Sequence, residues 1–179
     1  MNHDTYSASY ITDILRDVKT IALVGASNND IRPSYFVLKY LLEKGYQVIP
    51  VNPGLANTEI LGQRVYATLS DIPSSVDMVD IFRNSEAALD VTEEALTLPT
   101  KPKVIWMQLG VRNDDAAARA EANGLRVVMN RCPKMEFGKS SGEWAWVGGN
   151  SGQISSKRQV LNPNGRMQSL GIAPKSTTE

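Results

Sequence analysis

Reactive side chains are scarce in this chain of 179 residues. Its single cysteine, Cys132, excludes an intrachain disulfide and a four-cysteine zinc site. Its single histidine, His3, stands in a polar leader, where we expect neither a buried base nor a metal ligand. Nucleophilic catalysis by a serine or cysteine would need that histidine as its base, so the sequence disfavours this class of enzyme.

Net charge and long apolar runs are lacking as well. The chain balances 19 lysines and arginines with 19 aspartates and glutamates, whereas proteins that bind polyanions usually carry a basic excess. Nucleic acid and membranes are therefore disfavoured as partners. There is no run of about 18 apolar residues that would predict a transmembrane helix, and the first residues lack the pattern of a secretory signal. We expect a cytoplasmic protein.

Short apolar runs alternate with helical patterns along most of the chain. The predicted strands are residues 20–24, 47–51, 77–82, 103–107 and 125–129. The predicted helices are residues 9–18, 85–96 and 113–123, and one that begins near Pro33 and stops at Gly45. This alternation predicts an α/β fold with a doubly wound, mainly parallel five-stranded sheet and helices on both faces. Pro50 has no N–H for a ladder, so we expect the second strand near an edge.

The pattern also divides the chain into three parts. We expect an N-terminal helix in residues 1–19, packed on a domain that spans residues 20–137. Residues 138–179 are predicted to be a partly disordered extension rich in glycine and serine. Six of the ten residues from Gly148 to Lys157 are glycine or serine.

A glycine-containing loop follows the first predicted strand. Gly25 permits a tight turn, and the loop leads to a helix whose N-terminus attracts an anion. Ser27 and Ser34 add hydroxyl donors and Arg32 adds a positive charge, which together outline a phosphate site. The other interpretation is a plain strand-to-helix turn with Ser34 as a helix cap. The P-loop and G-x-G-x-x-G motifs are absent, and Asn52 stands where a dinucleotide-binding enzyme has Asp or Glu.

A series of short segments carries a resemblance to a known family. The segments are Val24-Gly-Ala-Ser27, Arg32-Pro-Ser34, Gly45-Tyr-Gln-Val-Ile-Pro-Val-Asn-Pro53, Ile60-Leu-Gly62, Asp77-Met-Val-Asp-Ile-Phe-Arg83, Trp106-Met-Gln-Leu-Gly-Val111 and Arg131-Cys132. In this order and spacing they resemble the stand-alone CoA-binding protein family, which is similar to the CoA-binding domain of the succinyl-CoA synthetase α subunit. The resemblance implies a Rossmann-like fold and coenzyme A or an acyl-CoA as the cofactor.

The resemblance also implies a site at the carboxyl ends of the strands. Its diphosphate-binding loop and helix start would be Gly25, Ala26, Ser27, Asn28, Asn29, Arg32, Pro33 and Ser34. Val51, Asn52 and Pro53 would form the wall of the adenosine site, Phe82 and Arg83 the next part of the cleft, and Gln108, Leu109 and Gly110 the region near the pantetheine arm. Gln47 stands where the synthetase has a lysine, which puts the contact to the 3′-phosphate in doubt. The synthetase's phosphorylated histidine has no counterpart, so ligase chemistry is not implied.

Three other residues carry a thiol or a carboxyl group, and the first of them has two interpretations. Cys132 follows the fifth strand, where its thiol would meet the thiol of CoA and form a mixed disulfide on oxidation. The alternative is a half-buried, small apolar side chain. Asp77 and Asp80 have a spacing that places them on opposite faces of a strand, so they are not expected to be a paired acid and base, and no partner for either is evident.

The sequence thus predicts a protein that binds coenzyme A or an acyl-CoA, with no evident catalytic residues and no metal site. One alternative is an oxidoreductase that binds a nicotinamide dinucleotide on the same fold. Another is a regulatory subunit of an acyl-CoA enzyme, in which residues from Glu136 onward would contact a protein partner. A homo-oligomer is also open.

Overall fold

The computed structural model of the protein describes residues 1–141, 159–161 and 167–169. Its compact units are residues 1–137 and 138–179. The first unit contains the strands β1 (Thr20–Val24), β2 (Gln47–Val51), β3 (Glu59–Ile60), β4 (Gln63–Arg64), β5 (Met78–Ile81), β6 (Val104–Met107) and β7 (Arg126–Val128). The helices are α1 (Ala8–Asp17), α2 (Pro33–Glu43), α3 (Ala87–Thr97), α4 (Asp114–Ala122) and α5 (Pro133–Ser141).

Five of the strands form one sheet in the order β2-β1-β5-β6-β7. Every neighbouring pair in it is parallel, which confirms the predicted doubly wound α/β fold. β2 is an edge strand and pairs Pro50 with Leu23, so the expectation based on Pro50 is confirmed. From β1 the chain continues to β2 on one side of it, and it later returns to β5 on the other side. The strand order therefore reverses beside β1, and such sheets bind ligands at the carboxyl ends of the strands there.

Helices cover both faces of this sheet. Ile14 of α1 and Leu38 of α2 are fully buried in a core on one face. Ala95 of α3 and Ala120 of α4 are fully buried in a core on the other face. Because the strands are covered on both sides, they read as continuous apolar runs without alternation.

Two tyrosines of the N-terminal segment form hydrogen bonds with backbone groups at the outer edge of β7 and just after it. The Tyr10 hydroxyl donates to Val127 O and accepts from Val127 N–H, both at 3.2 Å. The Tyr6 hydroxyl accepts from Met129 N–H at 2.8 Å and lies 2.9 Å from His3 Nδ1. His3 is only 8% exposed, so the expectation that it would not be buried is wrong. The leader packs here because it supplies hydrogen bonds to an open strand edge.

Several segments lie outside the five-stranded sheet. β3 and β4 form an antiparallel hairpin that follows a short 3-10 helix, Pro53–Leu55. The sequence pattern does not predict α5, because that stretch has no apolar stripe of helical spacing. The second unit contains the antiparallel strands β8 (Gln159–Leu161) and β9 (Met167–Ser169). The stretch rich in glycine and serine, residues 148–157, falls outside the described residues.

No helix among the described residues is long and apolar enough to cross a membrane. The same part of the chain contains no group of three or more histidine, cysteine, aspartate or glutamate side chains that could hold a metal ion.

Candidate functional site

Gly25 directly follows β1 and has a backbone conformation that glycine adopts most readily. Its φ is +92°, and a Cβ there would lie 3.1 Å from the carbonyl carbon of Phe82. The N–H groups of Gly25 and Ala26 donate to Val51 O at 2.9 and 3.3 Å. The chain therefore turns sharply where the order of the strands reverses, and the carboxyl ends of β1, β2 and β5 meet.

The loop that follows is shaped by its own side chains. Ser27 Oγ accepts from Asn29 N–H at 3.1 Å, and Asn29 Oδ1 accepts from Ile31 N–H at 3.0 Å. Asn29 O accepts from Arg32 N–H at 3.0 Å, which leads the chain into α2. The side-chain oxygens of Ser27 and Asn29 thus hold the loop in place as acceptors.

Asn52 connects this loop to the turn after β2. Its Nδ2 donates to Ala26 O at 2.7 Å, and its Oδ1 accepts from Gly54 N–H at 2.9 Å. Both ends of the amide are therefore engaged within the protein. An aspartate here would lack the donor for Ala26 O, so this loop geometry requires the amide.

Several donors at the start of α2 have no partner among the described residues. They are the N–H groups of Ser27, Asn28 and Ser34, and the guanidinium of Arg32 forms no ion pair in the same part of the chain. Pro33 occupies the first turn of α2, and the positive end of the helix dipole adds to these donors. A cleft of about 340 Å³ lies here, lined by Gly25, Ala26, Ser27, Arg32, Pro33, Ser34, Asn52 and Phe82. Such a set suits a phosphate group.

A second cleft, of about 260 Å³, shares Gly25 with the first. It is lined by Val24, Gly25, Val51, Pro53, Ala67, Thr68, Arg83, Ala87, Asp90, Val91 and Glu94. Arg83 is exposed and forms no ion pair with another described residue. Glu94 Oε1 accepts from Ser70 N–H at 3.1 Å. The residues from α3 and from positions 67–68 were not predicted for the site, because only the tertiary structure brings them to β1.

A third cleft lies away from these strand ends. It has a volume of about 200 Å³ and is lined by Leu69, Ser70, Ile72, Pro73, Ser74, Ser75, Val76, Leu98, Pro99 and Thr100. None of these side chains is charged, so this cleft does not suit a phosphate.

The residues after β6 lie at the same edge of the sheet as the first two clefts but outside their linings. Gln108 is 5% exposed and its N–H donates to Ile81 O at 3.2 Å. Leu109 is 61% exposed. Gly110 N–H donates to Asn130 Oδ1 at 2.8 Å, which ties the loops after β6 and β7 together.

Both strand aspartates have partners that sequence reasoning missed. Asp80 is fully buried, and Gln108 Nε2 donates to both of its oxygens at 3.0 Å. Burial raises the pKa of Asp80 to about 8, and the bond from Gln108 offsets only part of this. Asp77 Oδ2 accepts from Lys19 N–H at 2.9 Å, and Oδ1 lies 2.7 Å from Lys103 Nζ. Burial opposes its ionisation, but the hydrogen bonds outweigh this and lower the pKa of Asp77. A lone carboxylate within an apolar run was the available signal for Asp80.

The structure also places two single residues that the sequence analysis discussed. Gln47 begins β2 and therefore lies at the amino edge of the sheet, opposite the clefts, where it accepts from Thr20 Oγ1 at 3.3 Å. Position 47 therefore lies away from both clefts, and the doubt about the 3′-phosphate contact stays a prediction. Cys132 is half-buried, and burial raises the pKa of its thiol, which disfavours a reactive thiolate.

The doubly wound sheet, with a donor-lined cleft where its strand order reverses, defines a Rossmann-like nucleotide-binding fold. Within this class, the chain belongs to the CoA binding domain family, which it matches over residues 19–138. The family predicted from the sequence motifs is thereby confirmed.

Similarity to known proteins extends over most of the chain. The uncharacterized protein YneT of Bacillus subtilis is 37% identical over 129 residues, which cover 72% of this chain and 93% of that protein. The structure of a hypothetical protein from Pyrococcus horikoshii OT3 has a TM-score of 0.72 and 37% identity, and the match covers 78% of this chain and 95% of that one. The ADP-forming acetate–CoA ligase I subunit alpha of Pyrococcus furiosus is 34% identical over 86 residues. That match covers 46% of this chain and only 19% of the ligase subunit.

Proposed function

We propose that this protein binds coenzyme A or an acyl-CoA across the two clefts that share Gly25. Family membership supports CoA binding in general. The diphosphate would lie in the first cleft, against the N–H groups of Ser27, Asn28 and Ser34 and the guanidinium of Arg32. These groups would bind and orient the ligand.

The remaining parts of the ligand would extend in two directions from the diphosphate. The adenosine would occupy the second cleft, with Pro53 as an apolar wall and Arg83 as a cation for a phosphate. The pantetheine arm would follow the carboxyl ends of β5 and β6, past Phe82 toward residues 108–110.

The observation that carries the proposal is the set of unpaired donors at the start of α2. Backbone N–H groups at a helix N-terminus favour an anion, and an arginine without an acidic partner loses no ion pair when it binds one. Micromolar affinity corresponds to about 8 kcal/mol. Hydrogen bonds to charged groups contribute about 1.5–3 kcal/mol each, so a few of them supply much of that energy without a basic protein surface.

The proposal contains no catalytic step. Neither cleft lining contains a cysteine or a histidine. The dinucleotide alternative receives little support from Asn52, because a neutral amide that is held at both ends by the protein stands in place of the carboxylate that binds the ribose hydroxyls.

Isothermal titration of the full chain with CoA, acetyl-CoA, NAD, NADP and ATP tests the proposal. We expect micromolar or tighter binding of CoA or acetyl-CoA and weaker binding of the other nucleotides. Tighter binding of NAD or NADP would favour the dinucleotide alternative. An absence of binding by CoA and acetyl-CoA at millimolar concentration would overturn the proposal.

Two arginine variants with a matched control locate the site. Arg32→Ala and Arg83→Ala should each weaken CoA binding about tenfold or more, since each loses a charge-assisted contact. Arg16→Ala is the control, because Arg16 pairs with Asp13 on the surface of α1 at 2.7 Å. Equal affinities of the wild type and both cleft variants would remove these arginines from the site.

A further inference from the structure

Asp80 is a buried carboxyl group that the proposed binding contacts do not use. Its neighbours in register are Leu23 on β1 and Trp106 on β6, and both are fully buried. Its hydrogen bonds within the described part of the chain come from one side chain, Gln108. A carboxyl group in such a place needs a reason, because burial of a charge without a cation is costly.

Gln108 joins this buried group to the edge of the sheet where the ligand is proposed. Alternate residues of a strand share a face, so Asp80 lies on the face of Met78, and Gln108 on that of Trp106. Both of these apolar residues belong to the core beneath α1 and α2, and Phe82 packs against the same core. Phe82 also lines the first cleft. Gln108 therefore stands at the end of β6, on the side of the sheet that faces this cleft.

The amide of Gln108 has one end that binds Asp80 and one that does not. Nε2 lies 3.0 Å from both carboxyl oxygens of Asp80, whereas Oε1 accepts no hydrogen bond from the described residues. An ionised carboxylate only accepts hydrogen bonds, so it holds Nε2 and leaves Oε1 without a donor from Asp80. A protonated carboxyl also donates, so it can hold Oε1 and turn the N–H₂ group outward.

We propose that Asp80 is a positioning residue whose proton decides which end of the Gln108 amide is offered to the ligand. With the proton in place, Gln108 offers a donor that suits the carbonyl of an amide or thioester. Without it, Gln108 offers an acceptor and that carbonyl loses its partner. The inference rests on the proposed function, and it assigns to this site a preference for the carbonyl-bearing arm of an acyl-CoA.

The same geometry makes acyl-CoA binding depend on pH. Burial places the pKa of Asp80 at about 8, so its proton is lost in the range where binding is easily measured. Among the described residues, Cys132, between β7 and α5, is a titratable group that interacts with Asp80. Lys134 of α5 is the charged group that acts on this thiol. The flanking side chains Leu23 and Trp106 do not titrate.

Isothermal titration with acetyl-CoA between pH 7 and pH 9 tests the inference on the full chain. Acetyl-CoA has no free thiol, and the second pKa of a phosphate monoester is about 6, so the ligand itself titrates little in this range. The wild-type dissociation constant should rise about tenfold, because the protonated fraction of a group with a pKa near 8 falls about tenfold. Asp80→Asn cannot ionise, and its own amide has both a donor and an acceptor for Gln108, so its dissociation constant should stay level over this pH range.

Two further variants make the result specific. Gln108→Leu should bind more weakly and lose the pH dependence, because Asp80 is expected to act through this amide. Cys132→Ala should keep the wild-type profile, which separates the thiol from the effect. A wild-type profile in Asp80→Asn or in Gln108→Leu would overturn the inference while the proposed function stands. Failure of the wild type to bind acetyl-CoA at every one of these pH values, while it binds CoA, would overturn the inference alone, and failure to bind either ligand would overturn both.

Discussion

Gly25 lies so close to Phe82 that a Cβ on the glycine would be 3.1 Å from the Phe82 carbonyl carbon. Gly25 directly follows β1 and Phe82 directly follows β5, and these two strands are parallel neighbours in the sheet. Gly25 also has a φ of +92°, a conformation that is strained for residues with a side chain. The close approach and the strain coincide at the crevice that carries the proposed site.

Gly25→Ala should therefore lower the free energy of unfolding by about 1–3 kcal/mol or more, measured by urea denaturation. Gly124→Ala is the matched control, because Gly124 has a φ of +81° with nothing within 4 Å of a Cβ. Both variants have a strained backbone at a positive φ, but only Gly25→Ala also brings a Cβ close to Phe82. An equal loss in both would show that the close approach to Phe82 contributes nothing.

Asn52→Asp should disrupt the loop after β1. The variant loses the donor that Ala26 O accepts at 2.7 Å and places a negative charge beside a carbonyl oxygen and the proposed diphosphate. We expect a stability loss of about 1–3 kcal/mol and weaker binding of CoA, with no gain in NAD affinity, as measured by calorimetry. Tighter NAD binding would contradict the structural role assigned to Asn52.

The free energy of unfolding should depend on pH through Asp80. Its folded-state pKa of about 8 lies above the ordinary value of 3.8, so the folded protein holds the proton more tightly than the unfolded chain. The contribution of this proton to the free energy of unfolding is fully present below about pH 4. It decreases as the pH rises toward 8, by up to about 1.4 kcal/mol per pH unit.

Asp80→Asn should remove that slope. Urea denaturation at pH 5 and pH 7.5 should show the variant gaining stability relative to the wild type at the higher pH. Asp13→Asn is the control, since Asp13 forms an ion pair with Arg16 on the surface of α1. Parallel pH profiles for Asp80→Asn and the wild type would contradict a raised pKa for Asp80.

Tyr10→Phe should weaken the outer edge of β7. It removes the hydroxyl that serves both N–H and C=O of Val127, so two backbone groups lose their partner. We expect a stability loss of about 1–3 kcal/mol and faster amide hydrogen exchange at Val127. Tyr35→Phe is the control, because the Tyr35 hydroxyl makes no hydrogen bond with the described residues. Unchanged exchange at Val127 would show that the edge does not depend on this hydroxyl.

The sequence predicted the elements of the sheet better than the contacts among them. The apolar runs at β1, β2, β5, β6 and β7 were sufficient because a strand buried on both faces has a local signature. The prediction for His3 was wrong because its burial depends on Tyr6 and on an edge strand more than a hundred residues later. The role of Asn52 was likewise hidden, since its partner Ala26 lies on another strand end.

The candidate site was likewise determined in part by the sequence and in part by the tertiary structure. By itself, the sequence determined the α/β class, the glycine turn after β1 and the family, because all three depend on local periodicity and on motifs read in chain order. Only the tertiary structure decided that α3 and residues 67–68 line the second cleft, and that Asp80 and Gln108 form one buried pair. These contacts join residues far apart in the chain, and the order of the strands, which local periodicity does not encode, determines which of them meet.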